Sequence, residues 1–131
     1  MNFDKDKIKL IAEKYGLKLV VLFGSTAKGN THQKSDLDLA FYPIKKVNEQ
    51  KVYEEFVHLF RRADLDLVNL RDTHNHLLRY QILSQGIVLY EQKLGLKSRM
   101  EWQSYFDYVD FKKYYLSLGE MLDERLKIAV G

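Results

Sequence analysis

Gly24-Ser25 is followed, after ten residues, by Asp36-Leu37-Asp38, and a further acid, Asp66, stands between Leu65 and Leu67-Val68. Residues i and i+2 of an extended strand share a face, about 6.6–6.8 Å apart along the chain. In a strand, Asp36 and Asp38 therefore converge on one side while Leu37 and Leu39 turn to the core. Carboxylate oxygens at that separation suit hard divalent cations, which take oxygen ligands from Asp, water and phosphate. Two metals about 3.5–4 Å apart can clamp the attacking and leaving oxygens of an in-line displacement. Gly24 lets the backbone approach a phosphate closely. Ser25 adds an N–H and a hydroxyl, and a helix starting there would favour an anion. Lys28, one turn on, could reach terminal phosphates as a point charge.

Electrostatics make the metals a requirement of this chemistry. Three carboxylates facing a triphosphate gather about seven negative charges, and each close like-charge pair costs about 4 kcal/mol at 4 Å in an effective dielectric near 20. One lysine does not offset that; two divalent ions do. A Gly-Ser after a strand is commonly only a turn, and an Asp-x-Asp is commonly a solvated strand edge. The spacing, joined to a third strand acid, favours a site. Asp64 and Asp66 are also two apart. Asp66, flanked by Leu65, Leu67 and Val68, reads as deep in its strand, where an acid needs a reason. Asp64 reads as solvated at the strand mouth. His74 and His76 would point apart on a helix and make a poor metal pair. Lys45-Lys46 and Arg61-Arg62 read as solvated faces rather than nucleic-acid stripes.

The elements that must hold these residues follow from periodicity. Ile8, Ile11, Ala12 and Tyr15 repeat at helical spacing, with Asp4 or Asp6 as cap and Gly16 as stop. Leu17 to Phe23 (LKLVVLF) is a buried strand, and Thr26 to Lys34 is a polar connection with a turn at Gly29-Asn30. Asp36 to Tyr42 is a second strand closed by Pro43. Residues 48–62 place Val52, Phe56, Leu59 and Phe60 on one helical face. Asp64 to Leu70 is a third strand, residues 73–85 a helix before Gly86, and Ile87 to Tyr90 a short fourth strand. Ser98 to Val130 reads as helix, broken near Gly119. The order α-β-β-α-β-α-β-α predicts an α/β or α+β domain with one small sheet.

Composition bounds the rest. A chain of 131 residues, 46% hydrophobic and 30% charged, can bury a real core and is not disordered by composition. No apolar run approaches the roughly 18 residues of a membrane span, and the acidic start Met1-Asn2-Phe3-Asp4-Lys5-Asp6 lacks a secretory h-region. The chain has no Cys, which excludes disulfides, Cys zinc sites and thiol catalysis and fits a cytoplasmic location. Lys and Arg number 21 against 18 Asp and Glu, a net charge of +3. That excess permits a phosphate-bearing ligand without demanding nucleic acid.

The pattern Gly24-Ser25-Thr26-Ala27-Lys28-Gly29, Ser35-Asp36-Leu37-Asp38-Leu39 and Leu65-Asp66-Leu67-Val68 resembles the nucleotidyltransferase superfamily of the DNA polymerase β type. It looks most like the minimal nucleotidyltransferase (MNT) branch, including MNT antitoxins paired with HEPT toxins. The resemblance implies an α+β fold, a small mixed sheet flanked by helices, in a single nucleotidyltransferase domain over residues 1–131. The core would cover about 1–92, with a C-terminal helical segment over about 98–130. Tyr108-Val109-Asp110-Phe111-Lys112 resembles the antitoxins' C-terminal helix. The resemblance further implies that Asp36, Asp38 and Asp66 bind two Mg²⁺ (or Mn²⁺) and act in catalysis, with Asp66 helping to deprotonate the attacking hydroxyl. Gly24, Ser25 and Lys28 would bind the phosphates of an NTP, ATP by the resemblance. Lys28 stands where many relatives carry Arg and lacks that side chain's bidentate fork. In the antitoxin branch the acceptor is a toxin hydroxyl, a tyrosine, so the expected reaction is adenylylation of a HEPT-type partner protein.

Two other functions compete. One is the same transfer to a small molecule such as an aminoglycoside, or to an RNA end. The other is a non-enzymatic antitoxin that neutralises by contact. Residues 102–115 carry seven aromatics, more than one helical face can hold against a small sheet. They read either as a partner-docking helix or as a core helix wrapped by its own C-terminus. A heteromeric contact and a homodimer both remain open from sequence.

Overall fold

The computed structural model describes residues 3–24 and 37–130, with side chains through Arg125. Eight elements follow in chain order: α1 (Lys5–Tyr15), β1 (Leu17–Phe23), β2 (Leu37–Pro43), α2 (Glu49–Phe60), β3 (Leu65–Asn69), α3 (His76–Gln85), β4 (Ile87–Glu91) and α4 (Leu96–Val130). The order agrees with the alternation read from the sequence.

Local chemistry sets most of the boundaries. The Asp4 carboxylate accepts from the Lys7 amide at 3.1 Å and starts α1. Gly16 ends it in the left-handed conformation, φ 65°. Asn48 and Asn75 cap α2 and α3 by accepting from Lys51 and Leu78 amides. His74 therefore precedes the third helix, and His76 opens it against the Phe111 ring, 5.0 Å away. The Glu91 carboxylate accepts from the amides of Gly95 and Lys97 and seeds α4.

The sheet has strand order β3-β2-β1-β4. β1 is antiparallel to β2 and β4; β2 and β3 are parallel. A parallel pair needs a crossover, and α2 supplies it. The central strands β1 and β2 are nearly continuous apolar runs because both sheet faces are covered. On one face Val20, Leu22, Leu37, Leu39, Phe41 and Leu65 pack with Ile8, Val52 and Phe56 of α1 and α2. On the other, Leu19, Val21 and Ala40 pack with Ile82 and Leu83 of α3 and Met100 of α4. Gly86 seals this second face. A Cβ there would collide with the Val21 side chain and the Ile82 carbonyl oxygen.

One expectation is corrected, and one question left open by the sequence is answered. α4 is not broken near Gly119; it runs unbroken for 35 residues. A mid-helix glycine costs about 1 kcal/mol relative to alanine, and flanking Leu118, Glu120 and Met121 are strong enough helix formers to carry it. The aromatic segment is neither wholly core nor wholly surface. Tyr105 and Tyr108 lie against Tyr80 of α3, while Trp102 and Phe106 stack on each other and are exposed. Among the described residues, no helix is long and apolar enough to cross a membrane.

Gly86→Ala should lower stability by about 1–3 kcal/mol through overpacking, read as a shift of the urea midpoint. A second expectation concerns pH. The Lys14 ammonium, 2.7 Å from Glu55, and the Tyr15 hydroxyl hold the Glu55 carboxyl below its ordinary value of 4.5. Folding then favours the ionised form. Its contribution is full above pH 4.5 and is lost as pH falls through the lowered folded value. Unfolding midpoints of wild type and Glu55→Gln should differ at pH 7 and converge towards pH 3.

Candidate active site

The acids are positioned by register. β1 and β2 align Phe23 with Asp38, and the parallel β2–β3 pair aligns Asp38 with Asp66. Neighbouring strands lie about 4.8 Å apart, so Asp38 and Asp66 stand side by side. Period-two alternation puts both acids on the face of Ala40 and Val68, and puts Leu37, Leu39, Leu65 and Leu67 on the opposite face against α1 and α2. The same leucines that anchor the strands therefore aim the acids.

Gly24 closes the site from the end of β1. It follows the last residue of β1, with φ 77°, a conformation that favours glycine. A Cβ at this position would overlap the Asp38 carboxylate. Gly24 is thus required twice, for its backbone angle and for the space Asp38 occupies. Sequence reasoning assigned it only an approach to phosphate. The missing signal was the register of Phe23 with Asp38, which no spacing along the chain contains.

Asp38 is half-buried and Asp66 is exposed. The expectation that Asp66 lies deep in its strand is corrected. β3 is the edge of the sheet, and Asp66 is its second residue and exposed. Asp64 lies just before β3. Its carboxylate takes two hydrogen bonds from Arg62, at 2.9 and 2.6 Å, and its carbonyl accepts from the Leu37 amide. The Arg62 guanidinium holds the Asp64 carboxyl below the usual aspartate range. The structure thus brings together Gly24, Asp38 and Asp66, and gives Asp64 a cationic partner of its own. Ser25, Lys28 and Asp36, with the Thr26–Lys34 connection, its Gly29-Asn30 turn and any helix after Gly24, lie outside the described residues.

Two adjacent carboxylates on neighbouring strands form an oxygen-only, anionic donor set. Such a set fits Mg²⁺ or Mn²⁺ and does not fit metals that prefer thiolate or imidazole. Among the described residues, no three His, Cys, Asp or Glu side chains cluster as a metal site. Asp38 and Asp66 could supply two oxygen ligands to such an ion.

Comparison with known proteins agrees with this geometry. Residues 6–94 match the family model for polymerase beta nucleotidyltransferases. No curated protein sequence matches the chain. Among solved structures, a crystal structure of a toxin–antitoxin with AMP-PNP superposes with a TM-score of 0.73. It is 21% identical, over 92% of this chain and 98% of that one. The toxin–antitoxin complex MntA–HepT gives a TM-score of 0.66 at 19% identity, over 90% of this chain and 95% of that one. The tri-AMPylated Shewanella oneidensis HEPN toxin in complex with an MNT antitoxin gives 0.66 at 19% identity, over 90% and 94%. These likenesses establish a shared fold, including the long C-terminal helix. The family match runs from α1 through β4 and spans both strand acids and Gly24, so the chain belongs to the polymerase beta nucleotidyltransferase family.

Proposed function

We propose that this chain is a Mg²⁺-dependent nucleotidyltransferase that moves AMP from ATP to a tyrosine hydroxyl of a partner toxin, and so acts as an antitoxin. The observation that carries the reading is the in-register pair Asp38 and Asp66 beside Gly24, in a chain of this family. The toxin–antitoxin neighbours, one with AMP-PNP and one with a tri-AMPylated toxin, support the choice of nucleotide and acceptor. The exposed Trp102 and Phe106 on α4 support a protein acceptor, since such rings are favoured interface anchors.

Asp36, Asp38 and Asp66 would hold the metal ions, which when bound neutralise phosphate charge and polarise the α-phosphorus. The chain's own groups do the rest. Gly24 and Ser25 present backbone to the phosphates, and Lys28 adds a positive charge. Asp66, exposed at the sheet edge, accepts the proton of the incoming hydroxyl. That oxygen bonds to the α-phosphorus, the bond between the α-phosphorus and the bridging oxygen to the β-phosphate breaks, and pyrophosphate leaves. Placing the acceptor acid on an edge strand leaves room for a bulky protein side chain to enter.

The test is the intact mass of the neighbour-encoded protein after incubation with this chain, ATP and Mg²⁺. A gain of one or more adenylyl groups is expected. A stable complex with no gain would instead favour neutralisation by contact, and neither gain nor complex would point to small molecules or RNA ends. Asp38→Asn and Asp66→Asn should each cut transfer about 100-fold or more while leaving the unfolding midpoint near wild type. Asp64→Asn should retain most transfer, and chelation of divalent ions should abolish it. Gly24→Ala should reduce transfer more than stability, because the methyl group displaces the Asp38 carboxylate. Unchanged transfer in Gly24→Ala would refute the role given to that contact.

A further inference from the structure

Helix α4 outlasts the elements that pack on it. Tyr105 and Tyr108 meet Tyr80, and Phe111 meets His76, the first residue of α3. Beyond Phe111, every side chain from Lys112 to Arg125 is exposed, apart from half-buried Gly119. This segment is not polar. Phe111, Tyr115, Leu118 and Leu122 follow one another at steps of four, three and four, so they form a single stripe. Tyr114 flanks the stripe and is 66% exposed; Tyr115 within it is 65% exposed. The stripe continues the line of α4 that α3 covers and begins where α3 ends.

We propose that this stripe pairs with the same stripe of a second copy of the chain, antiparallel, about a two-fold axis near Leu118. The charges select both the occupant and the direction. Lys112 and Asp123 are eleven residues apart, close to three helical turns, and so lie on the same flank. Their midpoint falls beside Leu118. In an antiparallel pair each Lys112 faces Asp123 of the second copy, twice over by symmetry. Among the described residues, neither makes an ion pair within its own chain. Arg125 lies in the stripe itself and in this register reaches the Phe111 ring of the second copy, a cation–π contact. A parallel pair would set Lys112 on Lys112 and Arg125 on Arg125.

Gly119 gives the pairing a physical reason at its centre. Among the described residues, nothing lies within 4 Å of the place its Cβ would take, so no internal clash among them calls for glycine. It leaves a gap beside Leu118 into which Leu118 of the second copy can seat, as a knob enters a hole. The area is that of a small interface. An aromatic side chain buries about 150–250 Å² when covered. Three half-exposed aromatics and two leucines offer several hundred Å² per copy, against the roughly 800 Å² per partner of a standard interface. The stripe holds none of the residues assigned to transfer.

The test is the mass in solution of the full chain alone, by light scattering and sedimentation at tens of micromolar. Twice the 15.5 kDa chain mass is expected. Leu118→Glu should weaken association by roughly tenfold or more with unchanged circular dichroism, since Leu118 is exposed. Lys112→Asp should weaken it as well, and the double variant Lys112→Asp with Asp123→Lys should restore it. Restoration is specific to the antiparallel register. A chain that remains at 15.5 kDa, a dimer indifferent to Leu118→Glu, or a double variant no better than the single one overturns the proposal. So does a stripe that becomes protected only when a different protein is added.

Discussion

Two carboxylates on adjacent strands repel, and the fold is arranged to hold them together. They are direct neighbours in the register of β2 with β3, on strands about 4.8 Å apart. Backbone pairing between β2 and β3 fixes the register, and the leucines alternating with the acids lock it. Leu37, Leu39 and Leu65 are buried against α1 and α2. Slipping either strand by one residue would turn its acid into that core and its leucines onto the opposite face. The repulsion is therefore opposed by burial on the far side of the same two strands.

The rest of the sheet follows from that pair. A parallel connection demands a crossover, and α2 provides it while covering the leucine face. β1 then runs antiparallel beside β2 and ends level with Asp38, which brings Gly24 against the carboxylate. Gly86 lets α3 approach the opposite face closely at Val21. Each glycine is dictated by a neighbour from another element, not by its own turn alone. The Arg62–Asp64 pair sits just outside the strand, so the extra acid near the site has its charge matched.

α4 has a different logic. Its first turns belong to the core through Met100 and the Tyr80 contacts, and its later side chains from Lys112 to Arg125 are exposed, with Gly119 half-buried. Isolated helices of this length are marginal in water unless an apolar face is covered. The anchored half supports the helix, and the remainder presents exposed apolar side chains. The strand acids and the exposed apolar stripe thus lie on different elements of one small chain.

The sequence alone determined the element order, the stop at Gly16, the stripes that face the core, and the spacing of the acids that match the family pattern. These are local properties: periodicity, side-chain capping and residue type act within a few positions of themselves. It did not determine that Asp38 lies beside Asp66, that Asp66 is exposed on an edge strand, or that Gly24 makes room for Asp38. Each depends on which strands become neighbours and in what register, which is settled by pairing between residues far apart in the chain. Gly119 shows the same division. Its poor helix propensity is local and suggested a break, but the helix is continuous because nucleation on α3 and the residues around it outweigh about 1 kcal/mol. Tertiary structure decided the site because two like charges are brought together only when the burial of distant leucines compels it.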